Sequence, residues 1–262
     1  MPAPDASANG PKMAVVAVHY GTTDAEVRRT CLDVFNDSLK AIFPDAVFAE
    51  AFTSDVIIRR AHKMGLPAMT PAQVLDSLSR DGVRKVIIQC STVLDGGETG
   101  IVREAAASHP EMDVRVGNPL LYSVADCFRL ADILIRRYAD AVHEGAQVLL
   151  IGHGTELPAN AAYSQLDYIL QSRGERNFHV AAIESYPGYD EAVARLEASG
   201  SRDVVLVPLM FVRSNHVNND INGHWKNELE KAGYRVQTVS ATFASMPETE
   251  SIYMDHAREA AR

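Results

Sequence analysis

Two histidines and one glutamate stand where apolar runs of this chain give way to glycine-rich or polar segments. They are His153 in VLLIGHGT (148–155), Glu98 in STVLDGGETG (91–100) and His216 in RSNHVNND (213–220). Imidazole nitrogen and carboxylate oxygen together suit a divalent transition metal, and three protein ligands leave coordination positions open. An open site transfers or activates what it binds. Each residue also has a plainer reading: a satisfied turn residue for His153 between its glycines, a surface loop for His216, a solvated carboxylate for Glu98. The polar neighbours of His216 are unsuited to a core. Tyr20, Thr22, Thr23 and Thr155 add hydroxyls at strand ends, able to hold a ligand carboxylate together with loop amides and helix N-termini. His19, His62, His109, His143, His179 and His256 have no evident partner and read as structural or surface residues, and His224 beside Trp225 is ambiguous.

The segments that must position these residues alternate. The continuous apolar run from Val148 to Ile151 is what a strand buried on both faces of a parallel sheet requires. The turn after it lies at a carboxyl edge, where open α/β sheets bind ligands, and its glycines would let backbone and ligand approach closely. Further strands are expected at 13–18, 46–52, 84–90, 114–116, 180–183, 204–212 and 234–239. Helices are expected at 24–39, 55–62, 70–80, 123–142, 161–171, 191–198 and 225–232. Asp24 and Thr70 are natural caps, and Pro71 fits a first helical turn. Strand–helix alternation of this kind predicts parallel sheets with right-handed crossovers.

The two halves echo each other. Residues 16–22 match 149–155, which sets Tyr20 opposite His153, and Gly82–Val86 aligns with Gly200–Val204 at an offset of 118 residues. The same offset carries Glu98 onto His216. A duplication would yield two four-stranded α/β lobes facing each other across a cleft, with the three residues on strand-end loops lining it. The expected division is a disordered tail at 1–12, an N-terminal lobe at 13–140 and a C-terminal lobe at 141–262.

With 262 residues, 47% hydrophobic and 23% charged, the chain can bury a full core. Its net charge of −9 with scattered Lys and Arg disfavours nucleic acid as a partner. Cys31, Cys90 and Cys127 lack the spacing of a disulfide framework or zinc knuckle and read as reduced packing residues. No apolar run reaches the ~18 residues a membrane span needs, and the N-terminal segment lacks a secretory pattern. These features predict a soluble, cytoplasmic chain, and a homo-oligomer is compatible with them.

The ordered set Gly21-Thr22, AFTSDVIIRR (51–60), the Gly-x-Glu loop ending at Glu98, IVRE (101–104), GHGT (152–155), IESYP (183–187), VPLM (207–210) and HVNND (216–220) resembles the anaerobic sirohydrochlorin cobaltochelatases. These are CbiK-type class II chelatases, which insert a metal into a tetrapyrrole without ATP. The resemblance spans about residues 13–240. It implies the class II chelatase fold: two similar lobes, each a four-stranded parallel sheet flanked by helices, with the active-site cleft between them. It also implies a metal site of His153, His216 and Glu98, a tetrapyrrole in the cleft near Tyr20, Thr22, Thr23 and Thr155, and a tetrapyrrole-facing place for Glu184. The chain departs from the family at Ser214-Asn215, where Gly-Asp is usual, at the shortened stretch Ile221–His224, and at His19-Tyr20 before Gly21-Thr22.

A periplasmic branch of that family binds haem through a His whose matching position here is Thr92. A hydroxyl is a poor substitute for imidazole as a haem ligand, so the haem-free cytoplasmic branch is the one resembled. The expected activity is insertion of Co2+ into sirohydrochlorin for cobalamin biosynthesis, with Fe2+ or Ni2+ as other candidate metals and no tightly bound cofactor. A tetrapyrrole or metal carrier without turnover is the alternative. A histidine phosphatase would need an Arg before His153, where Gly152 stands.

Overall fold

The computed structural model describes residues 13–212 and 216–262, the side chains of 216–218 excepted. The segment expected to be a disordered tail, 1–12, lies outside the described residues. The chain forms two compact units. The first holds the residues up to Thr92, Glu98–Pro119 and Tyr253–Arg262; the second holds Val93–Gly97 and Leu120–Ile252.

The first unit is built on the strands β1 (Met13–His19), β2 (Val47–Phe52), β3 (Lys85–Cys90) and β4 (Asp113–Val116). They form one sheet in the order β2-β1-β3-β4, with every pairing parallel. β1 and β3 are the inner strands, and from Ala14 and Val86 onward they are buried without interruption, so their sequences cannot alternate. Ala14, Val16, Val18, Leu75, Val86 and Ile88 anchor the core on one side. On the other side Phe35 meets Tyr253 edge-on, ring centroids 5.5 Å apart.

Tyr253 belongs to the helix Pro247–Ala261, which sequence reading did not anticipate. Its final turns join the first unit: His256 bonds the Asn118 carbonyl at 3.0 Å, and Lys85 donates to the Ala261 carbonyl at 3.1 Å.

The second unit repeats the plan with β5 (Gln147–Gly152), β6 (Phe178–Ala182), β7 (Asp203–Pro208) and β8 (Arg235–Thr238) in the order β6-β5-β7-β8, again all parallel. β3 and β7 keep the 118-residue offset at both ends. β7 stops at Pro208, short of the expected 212, although the Leu209 N–H still donates to the Ile151 carbonyl at 2.8 Å. The sequence reading drew the border between 140 and 141. In the structure the helix Val124–Arg137 packs on the helix Ala161–Ser172, with Cys127 bonded to Gln165 at 3.3 Å, and so sits in the second unit.

Expected caps form. Asp24 Oδ1 accepts the N–H groups of Glu26 and Val27 at 2.8 and 3.0 Å, and Thr70 with Gln73 closes a capping box before Pro71. Two local readings change. Glu98 lies in the first turn of a helix, Gly97–Ala107, and not on a loop. The low helix propensity of Gly96, Gly97 and Gly100 hides that start, and the alanine-rich run after it sustains the helix. Residues His216–Trp225 form a π-helical segment whose Ile221 and Trp225 enter the core, where Trp225 meets Tyr189 edge-on at 5.1 Å.

Candidate functional site

In the second unit, His153 follows the last residue of β5 directly, and Glu184 follows the end of β6. The parallel pairing of β5 with β6 continues past both strand ends: Ile183 N–H donates to the Gly152 carbonyl at 3.0 Å and Glu184 N–H to the His153 carbonyl at 2.9 Å. The two side chains therefore share one edge, with His153 Nε2 3.7 Å from Glu184 Oε2 and both partly open to solvent. His153 Nδ1 lies 3.1 Å from the Gly154 carbonyl. A carbonyl only accepts, so Nδ1 carries the proton, and in the neutral ring Nε2 carries the lone pair.

A lone-pair nitrogen and a carboxylate oxygen are both ligand types for a divalent transition metal. Two ligand atoms at about 2.1 Å from a tetrahedral ion stand about 3.4 Å apart, so the pair is close to the spacing of two ligands on one metal. The surrounding turn is braced. Thr155 N–H donates to Asn160 Oδ1 at 3.2 Å, Asn160 Nδ2 donates to the Tyr186 carbonyl at 2.6 Å, and Ser185 Oγ donates to the Thr155 carbonyl at 3.1 Å.

In the first unit, Glu98 is partly buried and its carboxyl takes a hydrogen bond from Thr53. Burial pushes it up to about 7, with the Thr53 bond opposing. Thr53 is itself placed by His19, whose carbonyl accepts the Thr53 N–H at 2.9 Å.

His19, read from sequence as structural or surface, is fully buried and sits in a polar chain. Its Nε2 lies 3.0 Å from Asn36 Oδ1 and its Nδ1 2.8 Å from Ser91 Oγ. Asn36 Nδ2 donates to Glu50 at 2.7 Å, and Glu50 pairs with Arg28 at 2.7 Å. Because Asn36 presents its oxygen to His19, Nε2 is the donor and Nδ1 accepts the Ser91 hydroxyl. Desolvation holds this imidazole below its ordinary pKa, so it stays neutral and ties the ends of β1 and β3 together.

Tyr20 is half exposed, and Thr22 and Thr23 are partly buried beside it at the end of β1; Thr22 Oγ1 accepts the Asp24 N–H at 3.1 Å. Thr155 Oγ1 accepts the Leu157 N–H at 3.2 Å. His216 opens the π-helical segment after β7, and its side chain lies outside the described residues. Among the described residues no three His, Cys, Asp or Glu side chains form a cluster able to hold a metal.

Sequence reading missed a cationic stripe. On the helix Asp55–Lys63, Val56, Arg59, Arg60 and Lys63 recur at helical spacing on one exposed face. The three cations make no ion pair among the described residues. IIRR in the sequence was a legible signal for it.

The shift of Glu98 has a consequence for stability. A carboxyl held protonated in the folded state but ionised when unfolded contributes stability below its unfolded pKa, and loses it as pH rises through the folded value. The window runs from the ordinary 4.5 up to about 7. Glu98→Gln is therefore expected to melt higher than the parent at pH 8 and close to it at pH 5, measured by thermal unfolding at both pH values. An equal difference at the two would place the carboxyl in an unshifted setting.

Residues 13–262 match the family described as cobalt chelatase (CbiK). A sirohydrochlorin cobaltochelatase of Salmonella typhimurium is 30% identical over 256 residues, covering 95% of this chain and 96% of the relative. Another, from Nitratidesulfovibrio vulgaris, is 25% identical over 253 residues, covering 94% and 89%. Among solved structures, the sirohydrochlorin chelatase SirB of Bacillus subtilis subspecies spizizenii in complex with cobalt shares the fold, with a TM-score of 0.68, 16% identity and 95% of each chain covered. Among the described residues no helix is long and apolar enough to cross a membrane.

Proposed function

Because this chain belongs to the cobalt chelatase (CbiK) family, we propose that it inserts Co2+ into sirohydrochlorin without ATP, with Fe2+ as the other substrate metal to test. The metal is taken by His153, His216 and Glu98, joined by Glu184. The observation that carries this reading is the His153–Glu184 pair, whose lone-pair nitrogen and carboxylate oxygen stand 3.7 Å apart at the carboxyl edge of the sheet. Such a pair holds a divalent ion with exchangeable positions left over, and a chelatase must release what it binds.

Insertion frees two pyrrole protons. A carboxyl titrating at about 7 is matched to accept a proton near neutral pH, so Glu98 serves capture and proton transfer alike. The macrocycle faces the hydroxyls of Tyr20, Thr22, Thr23 and Thr155. Its carboxylates are met by Arg59, Arg60 and Lys63, which make no ion pair among the described residues. Haem is not expected as a resident group, since Thr92 offers no imidazole.

The deciding experiment mixes sirohydrochlorin with excess Co2+ anaerobically and follows the visible spectrum. Many equivalents of metallated product per protein are expected. A change that stops at one equivalent would make the protein a carrier, and no acceleration over the protein-free mixture would remove the reading altogether.

A further inference from the structure

The glycine before His153 answers to something other than an incoming ligand. A Cβ built on Gly152 would lie 2.2 Å from both Cζ and the phenol oxygen of Tyr163 and 2.7 Å from Cε2. The phenol end of the ring occupies the space a side chain at 152 would need, and only glycine leaves room for it. Tyr163, in the helix Ala161–Ser172, is 1% exposed. Its oxygen accepts the backbone N–H groups of both His153 and Gly154, and burial keeps the phenol protonated.

We infer that Tyr163 is a positioning residue: by holding the two amide N–H groups that flank the His153 Cα, its oxygen fixes the turn that orients His153 and sets its tautomer. The link is direct. The carbonyl that selects the tautomer is that of Gly154, 3.1 Å from His153 Nδ1, and the Gly154 amide is one of the two anchored on the phenol. Gly154 itself is at φ +93°, with a would-be Cβ 2.8 Å from Ser185, so the turn is confined from the other side as well. Nε2 is thereby presented toward Glu184 with its lone pair available. The phenol is buried and acts through the turn, and amides left without it would have no acceptor. The role in metal capture rests on His153 being a ligand; the tautomer control does not.

The test uses Tyr163→Phe, which removes one oxygen and keeps the ring. The full-length protein, labelled with 15N-histidine, is examined metal-free at pH 7.5. The parent is expected to show His153 as the Nδ1–H tautomer alone, and Y163F a mixture of both. Outer partners of a metal ligand typically govern about 10–100-fold in affinity, so Co2+ binding under buffered metal should weaken about tenfold. A tyrosine analogue fluorinated beside the oxygen, a poorer acceptor of the same shape, should shift both readouts the same way by less, and keeps the test open if Y163F melts early. An unchanged tautomer or an unchanged Co2+ affinity in a folded variant overturns the inference. His153→Ala separates the two readings. If H153A loses Co2+ while Y163F does not, the inference alone fails; if H153A binds Co2+ like the parent, the ligand assignment and this role in capture fail together.

Discussion

His153→Ala and His216→Ala are each expected to lower Co2+ insertion by more than about a hundredfold, because loss of a partner that only orients a metal ligand already costs about 10–100-fold. The protein should stay folded. His153 lies past the end of β5 with its side chain 44% exposed, so its removal opens no core cavity. Truncating it leaves Glu184 without its neighbour at 3.7 Å, a single carboxylate where a pair had stood. The measurement is the rate of cobalt-sirohydrochlorin formation, paired with thermal unfolding of each variant. A folded H153A enzyme that turns over like the parent would take His153 out of the reaction. Glu184→Ala belongs in the same series, and an effect as large as that of H153A is expected if both hold one ion.

Lowering the pH is expected to weaken Co2+ binding very steeply. Every ligand must give up its proton before it can bind, so protons and metal compete for the same lone pairs. An ordinary imidazole titrates near pH 6.5, and Glu98 joins the same window because burial raises it to about 7. With two histidines and Glu98 all deprotonating on binding, apparent affinity should fall toward roughly a thousandfold per pH unit at the acid end. In Glu98→Gln one titrating group is gone, and the limiting slope should drop to about a hundredfold per unit. Binding isotherms at several pH values between 5 and 8, with free Co2+ buffered, read both slopes. Equal slopes in parent and E98Q would exclude Glu98 as a ligand, and no slope at all would exclude the histidines.

The alternation of strands and helices was legible because a strand covered on both faces must be apolar at every position, as Val148–Ile151 is, whatever the rest of the chain does. Asp24 and Thr70 were readable for a similar reason: a cap bonds amides two or three residues away, so its signal is local. The 118-residue offset likewise anticipated that β3 and β7 hold the same place in two sheets of the same order.

What tertiary structure decided lies beyond any local pattern. Glu184 comes to His153 only because β6 pairs with β5 in a register that sets Ala182 beside Gly152. Glu98 titrates at about 7 only because other segments bury it. His19 reads as an odd polar residue in an apolar strand until Ser91 and Asn36, from two other segments, satisfy both of its nitrogens. Gly152 seemed to serve a ligand, yet the ring of Tyr163 excludes any larger residue there. Residue type sets which bonds a side chain can make. Proximity and desolvation, which choose among those bonds and shift its charge, arise from segments far apart in the chain and exist only once it has folded.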